Sequence, residues 1–309
     1  MQCEKLVSII INCHNGEKYL FQALESVKSQ TYQNFELIFY DNCSTDNSKK
    51  IFDSFRDVRF FYFKSKKKLP LGVARLKALK KSKGDFFLFF DCDDYLLPNK
   101  LEEQIKLFKN KFVGAVFSNS LFFSKFFEKK LYTNNKINDG KIFYDLIKNY
   151  NISLDTVIFN AKAVKELKHS LDSKFNLIHD LDLIIRLSNL YLIKYYPKVL
   201  SHWRAHWSST SNNAYLQFAK EKKIFEKKIL RLYPADEKLK KNLFLFREKF
   251  YLEECIGLLL NGKNSKARML IKKITRTKYK FLISLLLNIP FSNFLLRVAL
   301  YINKVILLK

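Results

Sequence analysis

The sequence predicts an α/β fold: a mostly parallel sheet with helices on both faces, followed by a helical C-terminal appendage. Three observations carry this. Strand-like apolar runs alternate with helical-period segments through the first 120 residues. Acidic or amide clusters close three of those runs. From about Asn213 the pattern changes to Lys-studded helices. Strands separated by helices imply parallel pairing, because a parallel connection needs a crossover.

Leu6–Ile11 is a β-branched run suited to a buried strand. Tyr19, Leu20, Ala23, Leu24 and Val27 then recur at helical spacing, with Asn15 as the expected N-cap. A second strand is expected at Phe35–Tyr40, with Ser44 or Thr45 capping the next helix. Val58–Phe63 reads as a third strand, Leu71–Lys81 as a helix and Asp85–Phe90 as a fourth strand. Pro98 suits the first turn of a helix through about Lys109, and Val113–Phe117 is an expected fifth strand. Residues 119–160 show no clear period. Leu177–Leu190 reads as helix, Tyr191–Tyr196 as a short strand and Ser201–Ser211 as a polar loop.

The chain has 309 residues, is 48% hydrophobic and carries 56 basic against 29 acidic residues, a net +27. Such an excess favours an anionic partner: nucleotide phosphates, nucleic acid or an anionic membrane. Nucleic acid is set aside, because the basic residues are scattered and form no recognition motif. The cysteines (Cys3, Cys13, Cys43, Cys92 and Cys255) are odd in number and contain no C-x-x-C pair. That pattern indicates neither a disulfide framework nor a zinc site, and fits a reducing cytoplasm. The polar start at Gln2–Lys5 predicts no signal peptide. Phe281–Leu308 is apolar but interrupted by Asn288, Pro290, Asn293, Arg297 and Asn303. It reads as a segment lying on a membrane rather than spanning one, with an internally packed helical pair as the alternative.

In an open parallel sheet, ligands bind beyond the carboxyl ends of the strands. Asn12–Asn15, Asp41–Asp46 and Asp91–Asp94 all fall there. Asp91-Cys92-Asp93-Asp94 follows the buried-type run Phe86–Phe90, so its carboxylates face desolvation unless a cation compensates. A divalent metal bridging to phosphate oxygens does so, whereas Asp94 on its own could simply cap a turn. Asp41 reads equally as part of a strand-to-helix turn or as an acceptor for a base or ribose. Asp180 and Asp182 both sit in the first turn of a helix, favoured by its dipole; one pointing into a cleft could act as general base. Arg204 and His206, with several hydroxyls, could hold a pyrophosphate or a metal.

Taken together and in order over about residues 5–211, these segments resemble a family 2 glycosyltransferase. Val7–Asn15 resembles its opening strand, although Cys13 and a missing proline depart from the P-x-Y-N ending. Asp41-Asn42-Cys43-Ser44-Thr45-Asp46 is similar to D-D-G-S-T-D, with Asn42 and Cys43 departing. Gly72–Leu76 resembles G-x-x-x-A-R-N with shorter spacing and Leu76 for Asn. Asp91–Asp94 resembles D-x-D-D. His179–Leu187 is similar to E-D-x-D-L-x-x-R-L, with His179 for an acidic residue. Trp203–Ser211 resembles Y-R-x-H-x-x-S-x-S.

The resemblance implies the GT-A (nucleotide-diphospho-sugar transferase) fold over residues 1–212; the remainder reads as a helical region at 213–309, with membrane association expected at 281–309. The same resemblance implies an inverting transfer from a nucleotide-diphosphate sugar, UDP first, to an acceptor hydroxyl in surface polysaccharide or lipopolysaccharide assembly. Asp180 becomes the expected catalytic base, beside a neutral His179. Asn12, His14, Asn15, Asp41, Arg75 and Asp91 become expected nucleotide contacts. Asp93, Asp91 and His206 are the expected ligands of a divalent metal, Mn or Mg, and Arg204 and His206 the expected stabilisers of the leaving group. The expected partners are the donor, a glycan or glycolipid acceptor and the cytoplasmic face of a membrane. The departures at Asn42, Cys43, Leu76 and His179 leave a non-catalytic nucleotide-sugar-binding module as the alternative.

Overall fold

A computed structural model describes residues 4–124, 127–133, 137–168, 170–206 and 214–275, with 280, 281, 283, 284 and 287. The chain separates into two compact units. One comprises residues 1–143 with 151–205, the other 144–150 with 206–309.

The first unit is an α/β domain on a sheet of order β3-β2-β1-β4-β8-β6-β9-β5. Its parallel half is β1 (Val7–Cys13), β2 (Phe35–Asp41), β3 (Phe60–Lys64) and β4 (Phe86–Asp91). β1 and β2 are buried along their whole length, as continuous apolar runs in a two-sided parallel sheet must be. β3 is the half-exposed edge. It begins two residues later than the pattern predicts, leaving Val58 92% exposed in the preceding turn.

Alternation along the strands sorts side chains onto two faces. Ile9, Ile11, Cys13, Leu88 and Phe90 pack with Leu20 and Leu24 of α1 (Glu17–Lys28) and Phe52 of α2 (Ser48–Ser54). On the opposite face, Phe89 meets Arg75 of α3 (Leu71–Leu79) and His179 of α7 (His179–Leu190). Phe87, Asp91, Ser8 and Asn12 share that second face by the same alternation. Gly72 permits the approach of α3 to the chain leading into α7: a Cβ there would lie 2.0 Å from the Phe175 carbonyl oxygen.

The other half of the sheet is mixed. β8 (Val157–Asn160) is inserted antiparallel between β4 and β6 (Val113–Phe123). β6 pairs parallel with β9 (Leu192–Arg204) through a register broken by bulges. β5 (Tyr95–Leu96) pairs antiparallel with β9, and β7 (Glu128–Lys130) with β6. Three expectations are corrected here. The strand expected at Tyr191–Tyr196 runs on to Arg204, so the first part of the expected polar loop is strand. The helix expected from Pro98 is the shorter α4 (Lys100–Ile105), with Asn99 at its N-cap position. The unreadable stretch 119–160 contains β7, α5 (Phe143–Lys148) and β8, and α6 (Ala161–Lys165) follows directly.

The second unit contains most of α5, α8 (Tyr215–Leu232), α9 (Glu237–Leu260) and α10 (Asn264–Leu270). α5 belongs with these helices although it precedes β8: the Tyr144 hydroxyl donates to Asp236 at 2.9 Å, and Lys238 lies over the Tyr144 ring. Cys255, Leu259, Ala267, Ile271 and Ile274 form a core that also takes in Ile283 and Leu287. Those two residues of the apolar C-terminal segment are therefore packed internally, while Phe281 is exposed. Among the described residues, no helix is long and apolar enough to cross a membrane. Most of 281–309 lies outside the described residues.

Candidate active site

Three loops at the carboxyl ends of β1, β2 and β4 build the site, and the first two are stitched together. The Asn42 amide donates to the Cys13 carbonyl at 2.7 Å, and the Asn15 amide to Ser44 Oγ at 3.0 Å. The Thr45 amide donates to Asn15 Oδ1 at 2.9 Å. Asn15 takes a left-handed backbone (φ 55°) and does not cap α1. The open amides there go to the neighbouring loop instead: Gly16 to Ser48 Oγ at 3.0 Å and Glu17 to Asp46 Oδ2 at 2.9 Å. Glu17 returns the bond, accepting from the Asn47 amide at 3.0 Å ahead of α2. Each helix start is thus satisfied by the other's loop, and neither Ser44 nor Thr45 is the cap of α2.

Asp41 is fully buried. Its Oδ1 accepts from the Ser44 amide at 2.7 Å, its Oδ2 accepts from the Tyr62 hydroxyl, and Lys64 stands 3.8 Å away. Its immediate work is to fold its own loop. Asn42, where the resemblance has Asp, clamps the following segment, accepting from the Leu69 amide at 2.9 Å and donating to its carbonyl at 2.8 Å. Cys43, where the resemblance has Gly, keeps a left-handed φ of 66°. In contrast, both amide atoms of Asn12 are buried without a partner, as is His14 Nδ1. Buried polar atoms of that kind are costly unless something meets them.

At the end of β4, carboxylate oxygens of Asp91, Asp93 and Asp94 lie within 4.8 Å of one another. Asp94 is 3% exposed, and desolvation followed by the charge of Asp93 holds its carboxyl well above the usual range. One Asp94 oxygen accepts from the Arg204 amide at 2.8 Å. Three convergent oxygen donors at this spacing fit a hard divalent cation. Arg204 holds the same loop: its Nε donates to the Asp93 carbonyl at 2.8 Å, and its guanidinium stacks between Tyr19 and Phe123. His206 falls in the second unit, and Trp207–Ser211 lies outside the described residues.

The connection that the linear pattern hid is Arg75. It is buried, ion-paired with Asp91, and its Nη1 lies 2.6 Å from His179 Nε2. Burial, and then the charge of Arg75, push the His179 imidazole well below its ordinary value. A neutral ring therefore accepts from Arg75 at Nε2. The substitution of His for an acidic residue thus still gives Arg75 an acceptor on its α7 side. The two first-turn carboxylates of α7 separate clearly. Asp182 is fully buried and paired with Arg186 through two bonds of 2.7 and 3.0 Å. Asp180 is half-buried and not part of that pair.

Sequence reading missed Asp155 altogether. It is buried between β6 and β9, its Oδ2 accepting from Ser120 Oγ at 2.7 Å and Ser201 Oγ at 2.6 Å. It lies in the stretch without period, so no local signal marks it.

The sheet, with its acidic cluster at the carboxyl end of β4, has a GT-A-like α/β fold, the fold of the solved glycosyltransferases it resembles. The family model for glycosyl transferase family 2 matches residues 8–168, more than half of the chain, and the chain belongs to that family. It is 28% identical over 257 residues to an Escherichia coli UDP-Glc:alpha-D-GlcNAc-diphosphoundecaprenol beta-1,3-glucosyltransferase, covering 79% of this chain and 98% of the relative. A second E. coli protein of the same description is 28% identical over 227 residues, 70% of this chain and 83% of its own. Among solved structures, S. aureus TarS 1-349 in complex with UDP-GlcNAc matches with a TM-score of 0.62 at 16% identity, covering 96% of this chain and 91% of that one. The mannosyltransferase PcManGT from Pyrobaculum calidifontis, in complex with GDP-Man and Mn2+, matches with a TM-score of 0.62 at 14% identity, covering 99% and 88%.

Proposed function

We propose that this glycosyltransferase moves a sugar from a UDP-sugar to a hydroxyl of a lipid-linked glycan, with inversion, in the assembly of a surface polysaccharide. The observation that carries the reading is the convergence of Asp91, Asp93 and Asp94 at the end of β4, with Arg75 binding Asp91 to the helix that bears Asp180. The two E. coli relatives, named for a UDP-glucose donor and a diphosphoundecaprenol acceptor, support the choice of donor and acceptor class.

Asp91 and Asp93, with Asp94 behind them, would hold a divalent cation, Mn or Mg; bound there, it supplies positive charge against the donor diphosphate. The unpartnered Asn12 amide and His14 would meet the nucleoside, next to the interlocked loops of Asn15 and Asp41. Asp180 takes the proton from the acceptor hydroxyl as its oxygen attacks the anomeric carbon. The bond from that carbon to the diphosphate breaks on the opposite side, and the nucleoside diphosphate departs. A neutral His179 leaves the basicity of Asp180 undiminished, where an imidazolium would lower it. Arg204 fixes the main chain of Asp93; the resemblance further assigns Arg204 and His206 to the departing diphosphate.

The test is nucleoside diphosphate release from a panel of nucleotide sugars, with Mn or Mg and with EDTA. We expect slow hydrolysis of one donor, abolished by EDTA and by Asp93→Ala. Asp180→Asn should reduce transfer by about 10²–10⁴-fold while leaving donor binding intact. Donor binding or turnover that ignores EDTA and Asp93→Ala would refute the cation role. Metal-dependent UDP binding without turnover, even with lipid-linked acceptor supplied, would favour the binding-module alternative. The +27 charge and the apolar stretch 281–309 support action at the cytoplasmic face of a membrane. Failure of the full chain to sediment with anionic vesicles would remove that part.

A further inference from the structure

We propose that Cys13 and Cys92 form an oxidisable pair whose disulfide controls the Asp91–Asp93 loop. The inference rests on the assignment of that loop to the donor's cation. β1 and β4 are paired in parallel with Asn12 opposite Asp91. Cys13 and Cys92 are the next residues along, on adjacent chains. The last paired residues, Asn12 and Asp91, stand one strand spacing apart, about 4.8 Å. The turn residue Cys92 therefore begins close to Cys13, within reach of the Cα separation of about 4.4–6.8 Å that a disulfide needs. Both side chains leave the sheet on the same face: Cys13 belongs to the core with Ile11 and Phe90, and Cys92 packs against that core. The two sulfurs border one small gap. A Cβ built on Gly16 would meet the Cys13 sulfur at 2.6 Å and the Cys92 sulfur at 2.9 Å. Glycine at 16 is what leaves room for the pair. Cys13 is buried and Cys92 half-buried, so Cys92 is the more exposed of the two.

The oxidant is a peroxide. One thiol of the pair is oxidised to a sulfenic acid as the O–O bond breaks and one water leaves. The other sulfur then displaces the sulfenic oxygen, closing the S–S bond and releasing a second water. Two thiols lose two electrons and two protons in all, and a dithiol reverses the reaction. Because Cys92 separates Asp91 from Asp93, the bond would fix the turn bearing Asp93 to the end of β1, beyond the strand pairing that already holds Asp91 there.

The full-length protein is treated with hydrogen peroxide, alkylated and digested without reduction. The expected result is a linked peptide pair containing Cys13 and Cys92, a mass loss of about 2 Da reversed by dithiothreitol. Mn2+ affinity, read by electron paramagnetic resonance of the free ion, should weaken about tenfold in the oxidised form. Cys92→Ser should remove both effects; Cys13→Ser, if it folds, should do the same. Oxidation of Cys92 to a sulfinic acid without any linked peptide would overturn the pair. An intact link with unchanged Mn2+ affinity would overturn its control of the loop. A reduced protein that binds no Mn2+ would count against the glycosyltransferase site itself, while the peptide map would still decide the pair.

Discussion

The two halves of the sheet both bury charge but place it differently: in the parallel half Glu36 and Asp41 lie near the two ends of β2, Glu36 accepting from Ser8 Oγ at 2.6 Å. In the parallel half, the interior is aromatic and aliphatic, with Phe39, Phe52 and Tyr62 in mutual contact. Most of its hydrogen-bonding side chains stand at the strand ends, stitching the loops. In the mixed half, the buried charges sit on the flanking helices and on the turn before β8. Lys100 is completely buried, donating to Gln104 Oε1 at 2.7 Å and the Thr156 carbonyl at 3.1 Å. Asp155 collects Ser120 and Ser201, and Asp182 pairs with Arg186 below the surface. Long-range pairing occurs in both halves: β4 meets β1 across 79 residues in the parallel half. β6 must find β9 some 80 residues away, and β5 must find β9 more than 100 residues away. Directional buried contacts add register information that apolar packing alone does not carry.

Removing a buried charge partner tests this most severely. Arg186→Met leaves the Asp182 carboxylate buried without its cation, and should cost about 3–5 kcal/mol in urea unfolding. A loss below about 1 kcal/mol would mean that the pair contributes no more than a surface bridge does, and the contrast between the halves would weaken.

Arg75 joins the halves, since it reaches Asp91 on β4 and His179 on α7. Arg75→Met should lower donor turnover about 10²-fold, about 2.7 kcal/mol, the scale of one lost preorganised electrostatic contact. The same variant removes the cation beside His179, so its imidazole should titrate at higher pH, measurable by NMR. Lost turnover with an unmoved His179 titration would mean that the contact at 2.6 Å is not kept in solution.

Lys100 offers a smaller effect with a defined sign. Burial pushes its ammonium down to about 7 from an ordinary 10.5. Between those values the unfolded chain binds more protons, so stability rises with pH across that window and is level below it. The slope should approach about 1.4 kcal/mol per pH unit for this group. Lys100→Met should remove that slope and raise stability near neutral pH. An unchanged slope would show that the ammonium is solvated.

The same contrast explains what could be read from the sequence. The four parallel strands and the three polar clusters were legible, because period and turn chemistry are local properties. Position marked the cluster Asp91–Asp94, but only the resemblance to the family motifs chose Asp93 as a metal ligand and Asp180 over Asp182 as the base. The partner of each residue was not legible. Nothing in the linear pattern joins Arg75 to His179, 104 residues apart, or brings Asn15 to cap no helix and bond Thr45 instead. β8 was unreadable because four residues inserted antiparallel into a sheet carry no period of their own, and α5 packs with helices that follow it by 70 residues or more.

The mildest test lies in the parallel half. Cys43 occupies a left-handed backbone position where the family pattern has glycine. A side chain there costs about 1–2 kcal/mol, while glycine in its place gives back part of that gain as unfolded-state entropy, about 0.5–1 kcal/mol. Cys43→Gly should therefore raise stability, but by no more than about 1 kcal/mol, measured as a shift in urea midpoint. The Asn42 bonds to Leu69 hold the segment after the turn, so donor affinity should be unchanged. A destabilised variant would show that the Cys43 side chain packs usefully against its loop. The departure from the family pattern would then be compensated locally, as the buried polar contacts of the mixed half are.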